Sequence, residues 1–599
     1  MTSKETIRKR LEMLRGQMAK EGIRFALMKS TDPHASEYIC DHYKVTEYFS
    51  GCTSDNVILI TDAVNAYLWT DGRFFISAAN ELEDTGITLM REGMKGVPTV
   101  EAFLKRELQP EDVLAFDGRS MDASSGKRYR MAAEKAGATV NGNFDPAEEL
   151  WIGRPKKPQN PVWILPGGLA GESADSRLAR IRRRMEEEGA RHHIVSSLDD
   201  IAWILNIRGS DIACCPVCLA YLLVGAETAD LFIQKEEVNQ ETADYFREIK
   251  VKIHEYEDVF SYLENYHFEG SVWIDSGHSS FEMMRCISEK ADVLDLPNPS
   301  LAMKARKNKT EIENSKYFYL LDSVAVSRFI YGIRNKIGRE RITEYTAACE
   351  MDRLRREIPG FLDYSFGTIS AYNVNAAMAH YQASEENASV VGCEGFLLVD
   401  SGGQYKGATT DVTRTIAVGP LSAEMKRDYT LTAAANLRLM YSRFKKGTTG
   451  SQLDLIARSP LYEYGIDYDH GTGHGIGYIL NVHEGPQRIG KHTGNTKEVP
   501  MEAGMITSDE PGVYRENLYG IRIESILLCV EDCETEFGEF LRFDPLTFVP
   551  LEREAIDIRY LTEEDRILVN HYHAEVREKL AGFFTGEELK WLIEATEEI

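Results

Sequence analysis

The 599 residues exceed what one hydrophobic core can organise, so about three or four domains are expected. A hydrophobic content of 43% and a charged content of 27% are those of an ordinary globular protein, neither fibrous nor disordered. The 69 basic and 95 acidic residues leave a formal charge of −26, a surface that repels nucleic acid and anionic membranes, so neither is an expected partner.

No apolar run approaches the roughly 18 to 20 residues of a membrane span. The opening M-T-S-K-E-T-I-R-K-R-L-E-M-L lacks an apolar signal core and carries acidic side chains, and the expected compartment is the cytoplasm. Ten cysteines without framework spacing agree with a reducing environment. Cys215-Pro-Val-Cys218 has C-x-x-C spacing but no second pair, and reads as buried thiols rather than a zinc or redox site.

In chain order, Ile7, Leu11, Leu14 and Met18 recur at helical spacing and predict a helix over 7–22. The strand-like F-A-L-M (25–28), N-V-I-L-I-T (56–61) and A-Y-L-W-T (66–70) follow, then the helix-like F-F-I-S-A-A-N-E-L (74–82), an α/β alternation. Three prolines between Arg154 and Pro161 mark a linker. A helix from Asp175 to Glu188 then precedes H-H-I-V-S-S (192–197) and a strand-rich stretch from Leu219 to Phe232. Helix-then-strand order in both parts suggests two related α/β domains. Arg182, Arg183 and Arg184 are followed by Glu186, Glu187 and Glu188, which on a helix pair at i,i+4 and form a solvated face. Pro297-Asn298-Pro299 marks the second boundary, and Thr310 with Glu313 predicts a capping box opening a helix through Phe329. The predicted domains are 1–158, 159–305 and 306–599.

The chemistry concentrates in the third. Asp400 lies in L-V-D-S-G, Asp411 in T-T-D-V-T-R, His474 in G-T-G-H-G, Glu510 in S-D-E-P-G and Glu524 in I-R-I-E. Four carboxylates and one imidazole are too many hard ligands for a structural zinc, which prefers Cys and His in a closed tetrahedron. They suit two divalent ions that share carboxylates and clamp a water for hydrolysis. Two strands folded back at Ser401-Gly402-Gly403 bring Asp400 and Asp411 together, and alternation over 521–524 puts Arg522 and Glu524 on one face. Asp275-Ser276-Gly277 repeats the D-S-G triplet with no T-T-D-V-T-R after it, and reads as a turn. The run G-T-G-H-G-I-G (471–477) does not fit G-x-G-x-x-G in either register, and its glycines read as allowing backbone close to the metals.

From about residue 306 to 550 the chain resembles the metallopeptidase clan of methionine aminopeptidase, proline dipeptidase and aminopeptidase P, whose catalytic domain is the pita-bread fold. W-T-D-G-R-F-F (69–75), A-W-I-L-N-I-R-G-S-D (202–211), H-G-T-G-H-G-I-G (470–477) with N-V-H-E-G-P (481–486), and L-T-F-V-P-L-E (546–552) are similar to the three-domain cytosolic aminopeptidase P form. The resemblance implies two creatinase-like α/β domains before a pita-bread domain, and hydrolysis of X-Pro bonds at peptide N-termini. It implies Asp411 and Glu524 as bridging ligands, Asp400 on one metal, and His474 with Glu510 on the other. Manganese is the implied metal, with cobalt, iron and zinc also compatible with such ligands. Glu510 is expected as general base, with His483 and His380 (in A-M-A-H-Y) beside the scissile peptide and His470 on the proline side. Arg522 is expected to orient a carboxylate and Tyr514 to line the substrate site. A homodimer is implied by resemblance alone.

One departure stands out. The family's F-x-T-I-x-x-x-G stretch reads Phe366-Gly367-Thr368-Ile369-Ser370-Ala371-Tyr372-Asn373, with Tyr372 and Asn373 instead of a closing glycine, which opens the question of substrate length. The alternatives are a proline dipeptidase, normally with one N-terminal domain, and a non-catalytic peptide-binding relative, which would have lost ligands.

Overall fold

The computed structural model describes residues 2–378, 381–492 and 498–599. The chain forms two compact units, Met1–Pro166 with Glu172–Leu301, and Gly167–Gly171 with Ala302–Ile599.

The first unit opens with the helix Lys4–Glu21, which Ser3 caps and Gly22 ends in the left-handed region. Ile7, Leu11, Leu14 and Met18 form its buried stripe. Two six-stranded sheets follow. In the first the spatial order is Ile87–Arg91, Ala66–Thr70, Val57–Thr61, Phe25–Lys29, Val113–Ala115, Thr139–Asn141. In the second it is Val251–Glu255, Ala229–Ile233, Ala220–Val224, Ala190–Val195, Ser271–Ile274, Val293–Asp295. Numbered along each sheet's own chain, both run 4-3-2-1-5-6. In both, strands 1, 2 and 3 pair antiparallel while the 3-4, 1-5 and 5-6 pairs are parallel. The weak sequence kinship of the two parts is thus a shared topology. Asp275 is a turn residue, accepting the Gly277 amide at 2.9 Å and the Asn298 amide at 3.1 Å. Cys215 and Cys218 are buried thiols.

The second unit begins its main helix at Lys309 and carries it to Lys336. The capping box is Asn308 with Glu311, not Thr310 with Glu313: Asn308 Oδ1 accepts the Glu311 amide at 3.1 Å and Glu311 Oε2 the Asn308 amide at 2.9 Å. Asn308 wins because its amide group also donates to Ala170 O at 2.8 Å, which fixes the cap from outside the helix. Beyond this helix stands a six-stranded antiparallel sheet in the order Arg443–Lys445, Gly538–Pro545, Ser525–Thr535, Ile506–Asp509, Gly473–Gly475, Glu484–Ile489. A three-stranded sheet of Ile369–Tyr372, Phe396–Ser401 and Val412–Ala417 accompanies it. The helix Ala423–Met440 is buried nearly throughout its second half, and packs Tyr429, Ala433 and Leu437 into the core with Ile521, Ile523 and Leu527. No helix among the described residues is long and apolar enough to cross a membrane.

Candidate metal centre

Four of the five ligand candidates sit at or next to a strand end, and His474 lies inside a three-residue strand. Asp400 lies on the central strand Phe396–Ser401, opposite Ile369 on one side and Thr413 on the other. Asp411 immediately precedes the strand Val412–Ala417. The turn between them is tight: a Cβ at Gly402 would lie 2.0 Å from Thr410 O, so only glycine lets the two segments close. His474 is the middle residue of Gly473–Gly475. Cβ atoms at Gly473 and Gly475 would lie 2.0 Å from Ser508 O and 2.1 Å from Glu484 O. The glycines of this run therefore allow strand to approach strand.

Glu510 follows the strand Ile506–Asp509, and Glu524 precedes Ser525–Thr535, its direct neighbour in the sheet. Asn436, buried in the long helix, donates to Asp509 O at 2.8 Å and Ile523 O at 3.4 Å, tying together the backbones that carry both glutamates.

The ligand atoms converge. One atom each from Asp411, His474 and Glu524 lies within 4.8 Å of the others. His474 Nε2 is 3.6 Å from both Asp411 Oδ2 and Glu510 Oε1. His474 Nδ1 faces Gly475 O at 3.0 Å, where it can only donate, so Nε2 presents a lone pair to the carboxylates. Asp400 is close enough to Glu524 to raise the Glu524 carboxyl, and Arg522 Nη2 lies 2.5 Å from Asp400 Oδ2.

So many buried acids oppose one another. Burial and then Glu524 push the Asp411 carboxyl well above its ordinary range. The same two causes raise Glu510, and burial with Asp400 lifts Glu524 to about 7. Asp400 Oδ1 and Asp411 Oδ1 are buried with no hydrogen-bond partner among the described residues. A crowd of desolvated carboxylates with lone pairs to spare, faced by one oriented imidazole nitrogen, is the donor set of a divalent-cation centre. The residues fit such ions.

A second chain of groups borders the cluster. Arg522 Nη1 donates to Tyr514 Oη at 2.9 Å, and Tyr514 Oη lies 2.8 Å from His470 Nε2. His470 Nδ1 faces Gly471 O at 2.7 Å, so the Tyr514 hydroxyl proton points to Nε2. The His483 ring stands perpendicular to that of His474, centroids 4.3 Å apart. Of the expected residues, His380 lies outside the described ones. The structure places Arg522 against the Asp400 carboxylate and brings Tyr514 to His470. It also adds three residues not singled out above. Thr413 donates to Glu524 Oε2 at 2.9 Å. Asn436 has the bridging role just described. Arg414 binds the Glu524 carbonyl. Thr413 and Arg414 both lie inside T-T-D-V-T-R; strand alternation puts Thr413 on the face of Asp411, whereas Arg414 falls on the opposite face and no local signal marked it.

Known proteins match this arrangement along the whole chain. Residues 10–150 and 153–311 each match the Creatinase/Prolidase N-terminal domain. Residues 319–531 match Metallopeptidase family M24, and 539–599 the C-terminal region of peptidase M24. The chain is 35% identical to Xaa-Pro aminopeptidase 1 of Dictyostelium discoideum, over 96% of this chain and 94% of that one. It is 32% identical to Aminopeptidase P1 of Arabidopsis thaliana, over 98% and 99%. A crystal structure of the X-prolyl aminopeptidase of Caenorhabditis elegans, described as a cytosolic enzyme with a di-nuclear active site, superposes with a TM-score of 0.94. That pair is 31% identical, with 100% of both chains covered. The fold and the ligand cluster together define a metallopeptidase. The chain belongs to the M24 metallopeptidase family, and Xaa-Pro aminopeptidases are its end-to-end relatives.

Proposed function

We propose that this protein is a metal-dependent Xaa-Pro aminopeptidase, releasing the N-terminal residue from peptides with proline in second position. The observation that carries this reading is the buried convergence of Asp411, His474 and Glu524, with Glu510 and Asp400 beside them, in a chain aligned end to end with such enzymes.

Asp400, Asp411, His474, Glu510 and Glu524 would hold two divalent ions, with manganese the metal we propose. When bound, the ions supply Lewis acidity toward the scissile carbonyl and a water acidic enough to react near neutral pH. The chain's own residues do the rest. Glu510 is half-buried with Oε1 3.6 Å from His474 Nε2, a position from which it would take a proton from the attacking water and pass it to the leaving amine. His483, edge-on to His474, donates to the scissile carbonyl oxygen, a task shared with His380. His470, polarised through Tyr514 by Arg522, lines the proline side. Arg522 holds the Asp400 carboxylate in place through its guanidinium. Proline offers no amide N–H, so this side of the site has no backbone donor to recognise there.

We further infer three domains, 1–158, 159–305 and 306–599, a cytoplasmic location and a homodimer. The reading is tested on a panel of X-Pro-Y, X-Pro and X-Ala-Y peptides. Release of X from X-Pro-Y alone or preferentially supports it; cleavage confined to the dipeptide X-Pro would replace it with a proline dipeptidase.

A further inference from the structure

Arg414 is 2% exposed, and its guanidinium ends on carbonyls and hydroxyls instead of a carboxylate. One nitrogen, Nη1, donates both to Thr413 O at 2.9 Å and to the carbonyl of Glu524. Those two carbonyls belong to the segments that carry Asp411 and Glu524. The other nitrogens of the fork reach the C-terminal region, with Nη2 also 3.4 Å from Ser525 Oγ. Nη2 donates to Val549 O at 3.0 Å and to Tyr572 Oη at 2.8 Å, and Nε reaches Val549 O at 3.3 Å. Tyr572 Oη in turn accepts the Val549 amide at 3.1 Å and lies 2.9 Å from Val549 O. Tyr572 and Val549 are fully buried. Tyr572 belongs to the helix Glu563–Leu580, and Val549 to the segment that leads toward it.

We propose that Tyr572 and Arg414 are positioning residues, through which the C-terminal helix sets the backbone of Glu524 and so the spacing between the carboxylates of Asp411 and Glu524. The physical case is geometric. A planar guanidinium fixes several acceptors in one plane, which an ammonium does not. Here those acceptors span two ligand-bearing segments and the C-terminal region. Thr413 closes the same unit from the other face: its carbonyl accepts the Glu524 amide at 3.0 Å while its hydroxyl holds Glu524 Oε2. The Glu524 peptide is therefore held at its N–H, its C=O and its side chain. Of these three restraints, the one at its C=O depends on the C-terminal region. Such outer partners commonly matter by about 10- to 100-fold in metal affinity.

The inference rests on the metal-centre reading above, and the test separates the two. Chelated full-length wild type, Tyr572→Phe, Arg414→Lys, Arg414→Met and Tyr429→Phe are titrated with manganese alone, reading free Mn(II) by electron paramagnetic resonance. Melting temperature is followed in parallel. Tyr429 is the control: it is buried, and its hydroxyl accepts the Glu552 amide at 2.8 Å, in a hydrogen bond to neither ligand-bearing segment. The expected result is that Tyr572→Phe and both Arg414 variants bind manganese at least about ten-fold more weakly, while Tyr429→Phe binds like wild type despite a similar melting shift. Activity on X-Pro-Y at saturating manganese then falls in kcat with KM nearly unchanged. Wild-type affinity in Tyr572→Phe would overturn the inference, and so would an equal loss in Tyr429→Phe. A wild type that binds no manganese would instead overturn the metal centre itself.

Discussion

Arg522 Nη2 sits 2.5 Å from Asp400 Oδ2, and the same guanidinium donates through Nη1 to Tyr514 Oη at 2.9 Å. One buried cation thus connects a carboxylate of the proposed metal centre to the tyrosine that faces His470. It lies 4% exposed and also reaches Thr413 Oγ1 at 3.3 Å. Replacing it with lysine keeps a charge but loses the fork, so Arg522→Lys is expected to lower kcat/KM on an X-Pro-Y peptide by about 10- to 100-fold. Arg522→Met, which strands Asp400 without its partner, is expected to be worse. Equal activity of Arg522→Lys and wild type would show that the fork does not matter.

Metal removal changes how stability depends on pH. In the metal-free protein the carboxyls of Asp411, Glu510 and Glu524 stand above their ordinary values, Glu524 at about 7. For acids with a raised folded pKa, the native state binds more protons than the unfolded chain between the two values. Their contribution is therefore fully present below the unfolded values, near pH 4 to 4.5, and is lost as pH rises through each raised folded value, which for Glu524 is about 7. The chelated protein is expected to melt at lower temperature at pH 8 than at pH 5.5, relative to the manganese-loaded protein at each pH. Melting curves that differ by the same interval at both pH values would contradict this.

Two glycines predict opposite outcomes. A Cβ at Gly473, next to His474, would lie 2.0 Å from Ser508 O, on the strand that leads to Glu510. Gly473→Ala is expected to cost about 1–3 kcal/mol of stability, as overpacking does, and to abolish activity. Gly332 lies inside the helix Lys309–Lys336 with nothing within 4 Å of an added Cβ. Gly332→Ala is expected to stabilise by up to about 1 kcal/mol in urea denaturation, with activity unchanged.

Asn373 closes the stretch where a glycine was expected. Its φ is 44°, the left-handed region that glycine and asparagine tolerate, and its Oδ1 accepts the Phe396 amide at 2.9 Å. Asn373 therefore takes a backbone shape that glycine also adopts and adds a hold on the strand that carries Asp400. Asn373→Gly should lose only the hydrogen bond, about 1 kcal/mol, whereas Asn373→Ala should also pay about 1–2 kcal/mol of backbone strain. An alanine variant as stable as the glycine one would contradict this account.

The parts of the site legible in the sequence are those written in short contexts. Asp400, Asp411, Glu510 and Glu524 each sit beside an apolar or β-branched run, where local pattern marks a strand end, while His474 is marked by the glycines around it. What stayed hidden is held by distant partners. Asn308-x-x-Glu311 and Thr310-x-x-Glu313 are both written as capping boxes; the contact from Asn308 to Ala170 decides between them, and it spans 138 positions. Arg414 was in plain view in T-T-D-V-T-R, yet its partners Glu524, Val549 and Tyr572 lie 110, 135 and 158 positions away. Likewise the shared 4-3-2-1-5-6 order of the two N-terminal sheets survives weak sequence kinship, because pairing depends on apolar pattern more than on residue identity.

The central claim is that this cluster, loaded with metal, cleaves X-Pro bonds. The direct measurement is release of free X from an X-Pro-Y peptide by the chelated protein, before and after manganese is restored, with bound metal counted. The account predicts no turnover after chelation, recovery on add-back, and two ions per chain at full activity. Turnover that survives complete removal of metal would contradict it.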